Sequence, residues 1–136
     1  MKLSKVIFLP LFLLLSSEFS LASEFDYKCN IERVASSEVA NESSLKFYIG
    51  QEFTVDRKTG IMVGALKNSY VTKPQVIDFG SNENSYKVIA SLKVSEGAGA
   101  GSNIYALTIS EFISGSSKPF VFLQNSNIFL GSCKHF

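Results

Sequence analysis

Apolar and polar residues alternate along most of the chain. Phe25, Tyr27, Cys29 and Ile31 stand against Asp26, Lys28 and Asn30; Leu45, Phe47 and Ile49 against Lys46 and Tyr48; Phe53 and Val55 against Glu52, Thr54 and Asp56. Tyr86, Val88, Ala90, Leu92 and Val94 give the cleanest run, with Lys87, Ile89, Ser91 and Lys93 between them. A period of two places successive side chains on opposite faces, so each stretch predicts an antiparallel strand with one face in a core and one in water. Cys29 falls on the inward face of its strand.

Turn signals separate these stretches. Arg57-Lys58-Thr59-Gly60 lies between Glu52–Asp56 and Ile61–Gly64, and a short loop ending in glycine is a hairpin signal. Gly80 to Ser85 precedes the Tyr86 strand, Glu96 to Asn103 follows it, and Ser114 to Pro119 and Gln124 to Asn127 bound the later strands. About eight short strands without a helical period predict an all-β fold, a small antiparallel barrel, with a β-sandwich as the alternative. Arg33 to Ser44 is polar and does not alternate, which predicts an ordered loop with one helical turn around Ser36 to Ala40. The acceptor triplet Asn41-Glu42-Ser43 in that loop is read as a chance occurrence.

The beginning of the chain follows a different rule. Lys2 and Lys5 precede an apolar run from Val6 to Leu15, and Ser20-Leu21-Ala22 ends the polar stretch after it. This is the pattern of a secretory signal peptide, residues 1–22, cut after Ala22. A stable membrane anchor is not expected, because spanning a bilayer takes about 20 apolar residues. Residues 23–136 are then a single β domain in the periplasm or outside the cell. Two cysteines in such a chain predict a disulfide, Cys29 to Cys133, joining the first and last strands; the alternative is two free or intermolecular thiols.

Charge narrows the partners. The full chain carries a formal net charge of +1, and without residues 1–22 the two signs balance. A nucleic-acid binder would show a basic excess and a membrane-surface protein a polybasic run, so neither is expected. A monomer is expected.

Candidate chemistry is sparse. The one histidine, His135, lies beside the C-terminus, where a frayed end is a poor place to hold a base, so a histidine-dependent triad is not expected. One histidine and two bridged cysteines do not make a zinc set, and the turn Asn82, Glu83, Asn84 lacks the calcium-loop spacing. No cofactor is expected: Gly97-Ala98-Gly99-Ala100-Gly101 does not match a dinucleotide fingerprint, and Asp78-Phe79-Gly80 matches a kinase tripeptide by coincidence. Carboxylate chemistry stays open, since Glu52, Asp56, Asp78, Glu83 and Glu111 contain enough groups for a glycan hydrolase. Most of them alternate with apolar neighbours, as outward side chains do.

The large groups Tyr48, Met62, Tyr70 and Ile89, and the face Tyr105, Leu107, Ile109, stand where polar residues are expected; they read as a second buried side or ordinary surface, and as a partner site only if clustered.

The stretches Phe53-Thr-Val-Asp-Arg-Lys-Thr-Gly-Ile-Met-Val-Gly64, Gly80-Ser-Asn-Glu-Asn-Ser-Tyr-Lys87, Lys118-Pro-Phe-Val-Phe122 and Gly131-Ser-Cys133 resemble a group of small exported proteins of Gram-negative bacteria without assigned function. In length, export, strand content and cysteine placement the chain is also similar to the periplasmic inhibitors of C-type lysozyme, although it has no tryptophan. That resemblance implies a small barrel with a bridge near its ends, and inhibition by analogy. The residues themselves point to a non-catalytic binding protein with a protein or glycan partner, using the loop Asp56–Gly60 with Asp56, Arg57 and Lys58, and the loop Ser81–Ser85 with Glu83 and Asn84. The alternative is the small carboxylate-dependent hydrolase.

Overall fold

A computed structural model describes residues 26–69, 73–97 and 103–136. The signal segment lies outside the described residues. Eight antiparallel strands form one curled sheet: β1 (Tyr27–Ser36), β2 (Glu52–Val55), β3 (Met62–Gly64), β4 (Gln75–Phe79), β5 (Tyr86–Ser91), β6 (Ile104–Ile109), β7 (Lys118–Gln124) and β8 (Asn127–His135). Their order is β3-β2-β1-β8-β7-β6-β5-β4. Every neighbouring pair is consecutive in sequence except β1 and β8, which meet in the interior of the sheet. The open edges are therefore β3 and β4, consecutive in sequence, and the sheet is a half-barrel with a seam between them.

The alternation read from the sequence generates the core. Tyr27, Cys29 and Ile31 of β1, Phe53 and Val55 of β2, Met62 of β3, Tyr86, Val88 and Ala90 of β5, Tyr105, Leu107 and Ile109 of β6, Phe120 and Phe122 of β7, and Phe129 and Cys133 of β8 are all buried. Burying one such side chain contributes about 1.5–3 kcal/mol. Ring pairs lock the interior: Phe53 and Phe120 meet edge-on at 5.1 Å, and Tyr27 and Tyr86 lie 5.1 Å apart. Met62 and the Tyr105, Leu107, Ile109 face thus belong to the core and are not exposed; Ile89 is exposed, and Tyr70 lies outside the described residues.

The β1–β8 pairing runs from Tyr27 opposite His135 to Ser36 opposite Asn127. Cys29 and Cys133 are direct partners in it and form the disulfide, with Cα atoms 3.9 Å apart and a sequence separation of 104. A bulge at Glu32 shifts the register between Ile31 and Arg33. Gly131 faces that bulge. A Cβ there would overlap the Asn30 carbonyl oxygen and stand 2.8 Å from the Phe120 ring, so only glycine lets the two central strands approach this closely.

Three sequence expectations are corrected. Leu45 to Ile49 is not a strand: a helix, α1 (Val39–Leu45), runs into a 3₁₀ turn over Lys46–Tyr48. Leu45 enters the core and Tyr48 packs edge-on against Phe129, while Phe47 is 77% exposed, so the apparent alternation arose where one helix ends and a tighter turn begins. The predicted loop Arg33–Ser44 is instead the end of β1 followed by most of α1. The β5 strand stops at Ser91, and Val94, expected inside, sits in a 3₁₀ turn and is 67% exposed. Among the described residues no helix is long and apolar enough to cross a membrane.

Two outcomes follow for stability. Cys133→Ser should lower unfolding stability by about 2–5 kcal/mol in denaturant titrations followed by circular dichroism, because the lost bond closes a loop of almost the whole domain. Gly131→Ala, with the disulfide intact, should cost about 1–3 kcal/mol or more, since the atom it meets is backbone and cannot swing aside. Unchanged transition midpoints would contradict the central pairing.

Candidate functional site

The seam is kept open by side chains that occupy its edges. Asp56 Oδ1 accepts the backbone N–H groups of Lys58 (2.9 Å) and Thr59 (3.0 Å), which folds the β2–β3 turn tightly. Gly60 ends that turn at φ +76°, and a Cβ on it would come within 2.6 Å of Val88 Cγ1 and 3.3 Å of Val76 Cγ2. The turn therefore docks directly on β4 and β5 across the seam. Asn68, the buried polar side chain of the β3–β4 connection, donates to the Gly60 carbonyl (2.8 Å) and accepts from the Met62 N–H (2.9 Å). On the facing edge the Arg57 Nη2 donates to the Phe79 carbonyl (2.8 Å). Three backbone groups beside the seam, the Met62 N–H and the Gly60 and Phe79 carbonyls, are thus satisfied by side chains.

Beside this bridge lies a cleft of about 390 Å³, lined by Lys58, Thr59 and Ile61 of the β2–β3 turn on one wall and by Val76 and Phe79 of β4, with Lys73 and Pro74 just before it, on the other. Its surface is mostly apolar. Phe79 is 47% exposed, and the ammonium groups of Lys58 and Lys73 have no ion-pair partner among the described residues.

At the same end of the half-barrel a second cluster closes the interior. The Glu111 side chain is only 9% exposed; its Oε2 accepts from the Tyr27 hydroxyl (3.1 Å), and both its oxygens lie within 3.0 Å of His135 Nε2. Lys118 Nζ stands 3.9 Å from Glu111 Oε1 and donates to the carbonyl oxygens of Glu111 and Ile113. His135 also lies against the Tyr27 ring, with centroids 4.6 Å apart. Glu111 is therefore a brace between β1, β8 and the β6–β7 connection. His135 was expected to fray, yet in β8 it is the cross-strand partner of Tyr27; Glu111, one of the five candidate carboxylates, is mostly buried and bonded to Tyr27 and His135. No local pattern marks this cluster, because its members meet only through tertiary pairing.

Burial first, then the Glu111 carboxylate, raises the Tyr27 hydroxyl far above its ordinary value, with the Arg57 charge opposing. Burial and then Asp56 do the same to Tyr86, whose hydroxyl donates to the Arg57 carbonyl (3.0 Å). On the outer side, the Gly80 N–H bonded to Asp78, followed by Lys87, holds the Asp78 carboxyl below its usual value.

The predicted site residues divide accordingly. Lys58 lines the cleft; Asp56 and Arg57 do not, but Asp56 folds the turn that carries Lys58 and Arg57 ties that turn to Phe79. Glu83 and Asn84 lie in a self-contained turn, where Ser81 Oγ accepts both of their N–H groups at 3.1 Å, and they do not line the cleft. Ile61, Val76, Phe79, Lys73 and Asn68 were not singled out from the sequence. Glycine after a turn and a proline beside an edge strand are the only local signals near them. No known protein family, curated protein or solved structure matches the chain.

The buried tyrosines set an alkaline limit. Their folded-state values are raised, so stability is fully present below the unfolded value near 10 and is lost as pH rises toward the folded values, because only the unfolded state then releases the proton. Each tyrosine should contribute a loss of about 1.4 kcal/mol per pH unit above roughly pH 10. In urea unfolding measured from pH 8 to 11.5, Tyr86→Phe should flatten this slope relative to the parent protein. An identical slope in the variant would show that the hydroxyl titrates equally in both states.

Proposed function

We propose that this is an exported, non-catalytic binding protein, working as a monomer in the periplasm or outside the cell, whose ligand occupies the seam cleft between the β2–β3 turn and β4. The observation that carries the reading is the seam itself. Asn68 and Arg57 bond backbone groups on the two sides of the seam, and a concave, mainly apolar space of ligand size lies between the β2–β3 turn and β4. The disulfide and the absence of a membrane-spanning helix among the described residues accord with this setting.

The state of the carboxylates favours binding over the hydrolase reading. Glu52 is paired with Lys28, Asp78 with Lys87, Asp56 with its own turn, and Glu111 with Tyr27 and His135. Each of these four has a structural partner and Glu83 lies apart in the Ser81–Ser85 turn, whereas a glycan hydrolase needs two carboxyl groups facing one bound sugar.

Isotope-labelled mature protein, titrated with aqueous and organic extracts of its own compartment, should show shift perturbations concentrated at Thr59, Ile61, Val76 and Phe79. Phe79→Ala, which removes a half-exposed ring from the wall, should weaken them several-fold without altering the fold. Perturbations confined to Ser81–Ser85 or to the outer face of β1 and β8 would refute the site, and turnover of any extract component would refute the non-catalytic reading.

A further inference from the structure

We infer that the seam cleft takes a single-chain anionic amphiphile: an alkyl chain along the apolar floor, with its acidic head group between Lys58 and Lys73. The inference rests on the seam being the ligand site and adds the chemistry of what fills it.

Three features of the walls select this class. The side chains of Ile61, Pro74, Val76 and Phe79 offer carbon surface and no hydrogen-bonding group, so what lies against them is itself apolar. Polar atoms occur at the rim: the Thr59 hydroxyl and two exposed ammonium groups that carry no ion-pair partner among the described residues. Lysine is a compact charge on a flexible stem, suited to following an anionic head group without fixed geometry. The described lining contains no carboxylate and no side-chain amide, the groups that would hold a cationic ligand or the hydroxyls of a sugar.

An extended peptide suits this cleft less well. Strand addition draws its affinity from a row of unpaired edge groups. Here Asn68 takes the Met62 N–H and the Gly60 carbonyl, Arg57 takes the Phe79 carbonyl, β3 is three residues long, and β4 shifts register between Val76 and Asp78. A ligand that needs side-chain contacts alone, with one charged end, matches what remains. It enters as a dissolved monomer, because the cleft is a recess between two edges and not a flat apolar surface fit to rest on a bilayer.

The test uses the mature, oxidised protein with dodecanoate, dodecyl phosphate and dodecyltrimethylammonium, each below its micelle concentration, and with vesicles containing anionic lipid. Affinities come from calorimetry, and backbone and methyl shifts locate the contact. Both anionic ligands should perturb Ile61, Val76 and Phe79 and bind roughly fivefold or more tightly than the cation, an advantage that shrinks with added salt. The double variant Lys58→Ala/Lys73→Ala, altered at two exposed positions, should bind anion and cation alike. Equal affinity for the two charges in the parent protein, or an anion preference that survives in the double variant, would overturn the head-group assignment. Binding to vesicles but not to monomers would overturn the dissolved ligand. If extract components move the cleft resonances while none of the amphiphiles does, the ligand class falls and the site stands; if nothing moves them, both fall.

Discussion

The pairing of β1 with β8 is the constraint on which the rest of the structure depends. It joins two local meanders, β1–β3 and β4–β8, into one sheet, and without it neither has enough inward surface to make a core. Three features hold it: the Cys29–Cys133 bond between direct partners, the bulge at Glu32, and the glycine opposite that bulge. Each acts on register. In a sheet buried on one face a slip of one residue would turn Tyr27, Cys29 and Ile31 out to solvent, so a covalent link at a paired position also fixes which face is inside.

With the terminal strands at the centre, the discontinuity of the half-barrel is displaced to the middle of the sequence. The β3–β4 connection has to span a gap that pairing would otherwise fill, and its Asn68 supplies the hydrogen bonds that a neighbouring strand would have made. The turn at Gly60 presses on Val76 and Val88, and the Arg57 link to Phe79 ties the same end. The seam is thereby fastened at this turn, and the cleft lies between the turn and β4. This is how an all-β scaffold with a continuous interior acquires a recess without sacrificing a core residue.

Much of the fold was legible in the sequence because it rests on local pattern. Alternation in Tyr86–Ala90 and in Tyr27–Ile31, glycine after the Arg57–Thr59 turn, and cysteines near both ends specify strands, hairpins and the bridge. Leu45, Phe47 and Ile49 misled because three apolar residues at alternate positions are also compatible with a helix end and the turn after it, and only the packing of Leu45 and Tyr48 decides between the two. The candidate site was legible only through Lys58. Its other wall depends on where the sheet breaks, and that break is set by the β1–β8 register, which no local pattern encodes. Glu111 and His135 illustrate the same limit: 24 residues apart, they meet because β8 runs beside β1 and β7 beside β8.

The central position of β1 also bears on how the molecule comes into being. A chain emerges N-terminus first, whether from a ribosome or through an export pore, and β1 is among the first elements to appear. Its pairing with β2 needs only the segment through α1, but its other edge waits for β8, the last strand to arrive. Until then an apolar edge with an unpaired thiol stands open, and the sheet cannot be completed piece by piece as in a simple meander. The β1–β8 pairing and the Cys29–Cys133 bond therefore require both ends of the domain to be present together.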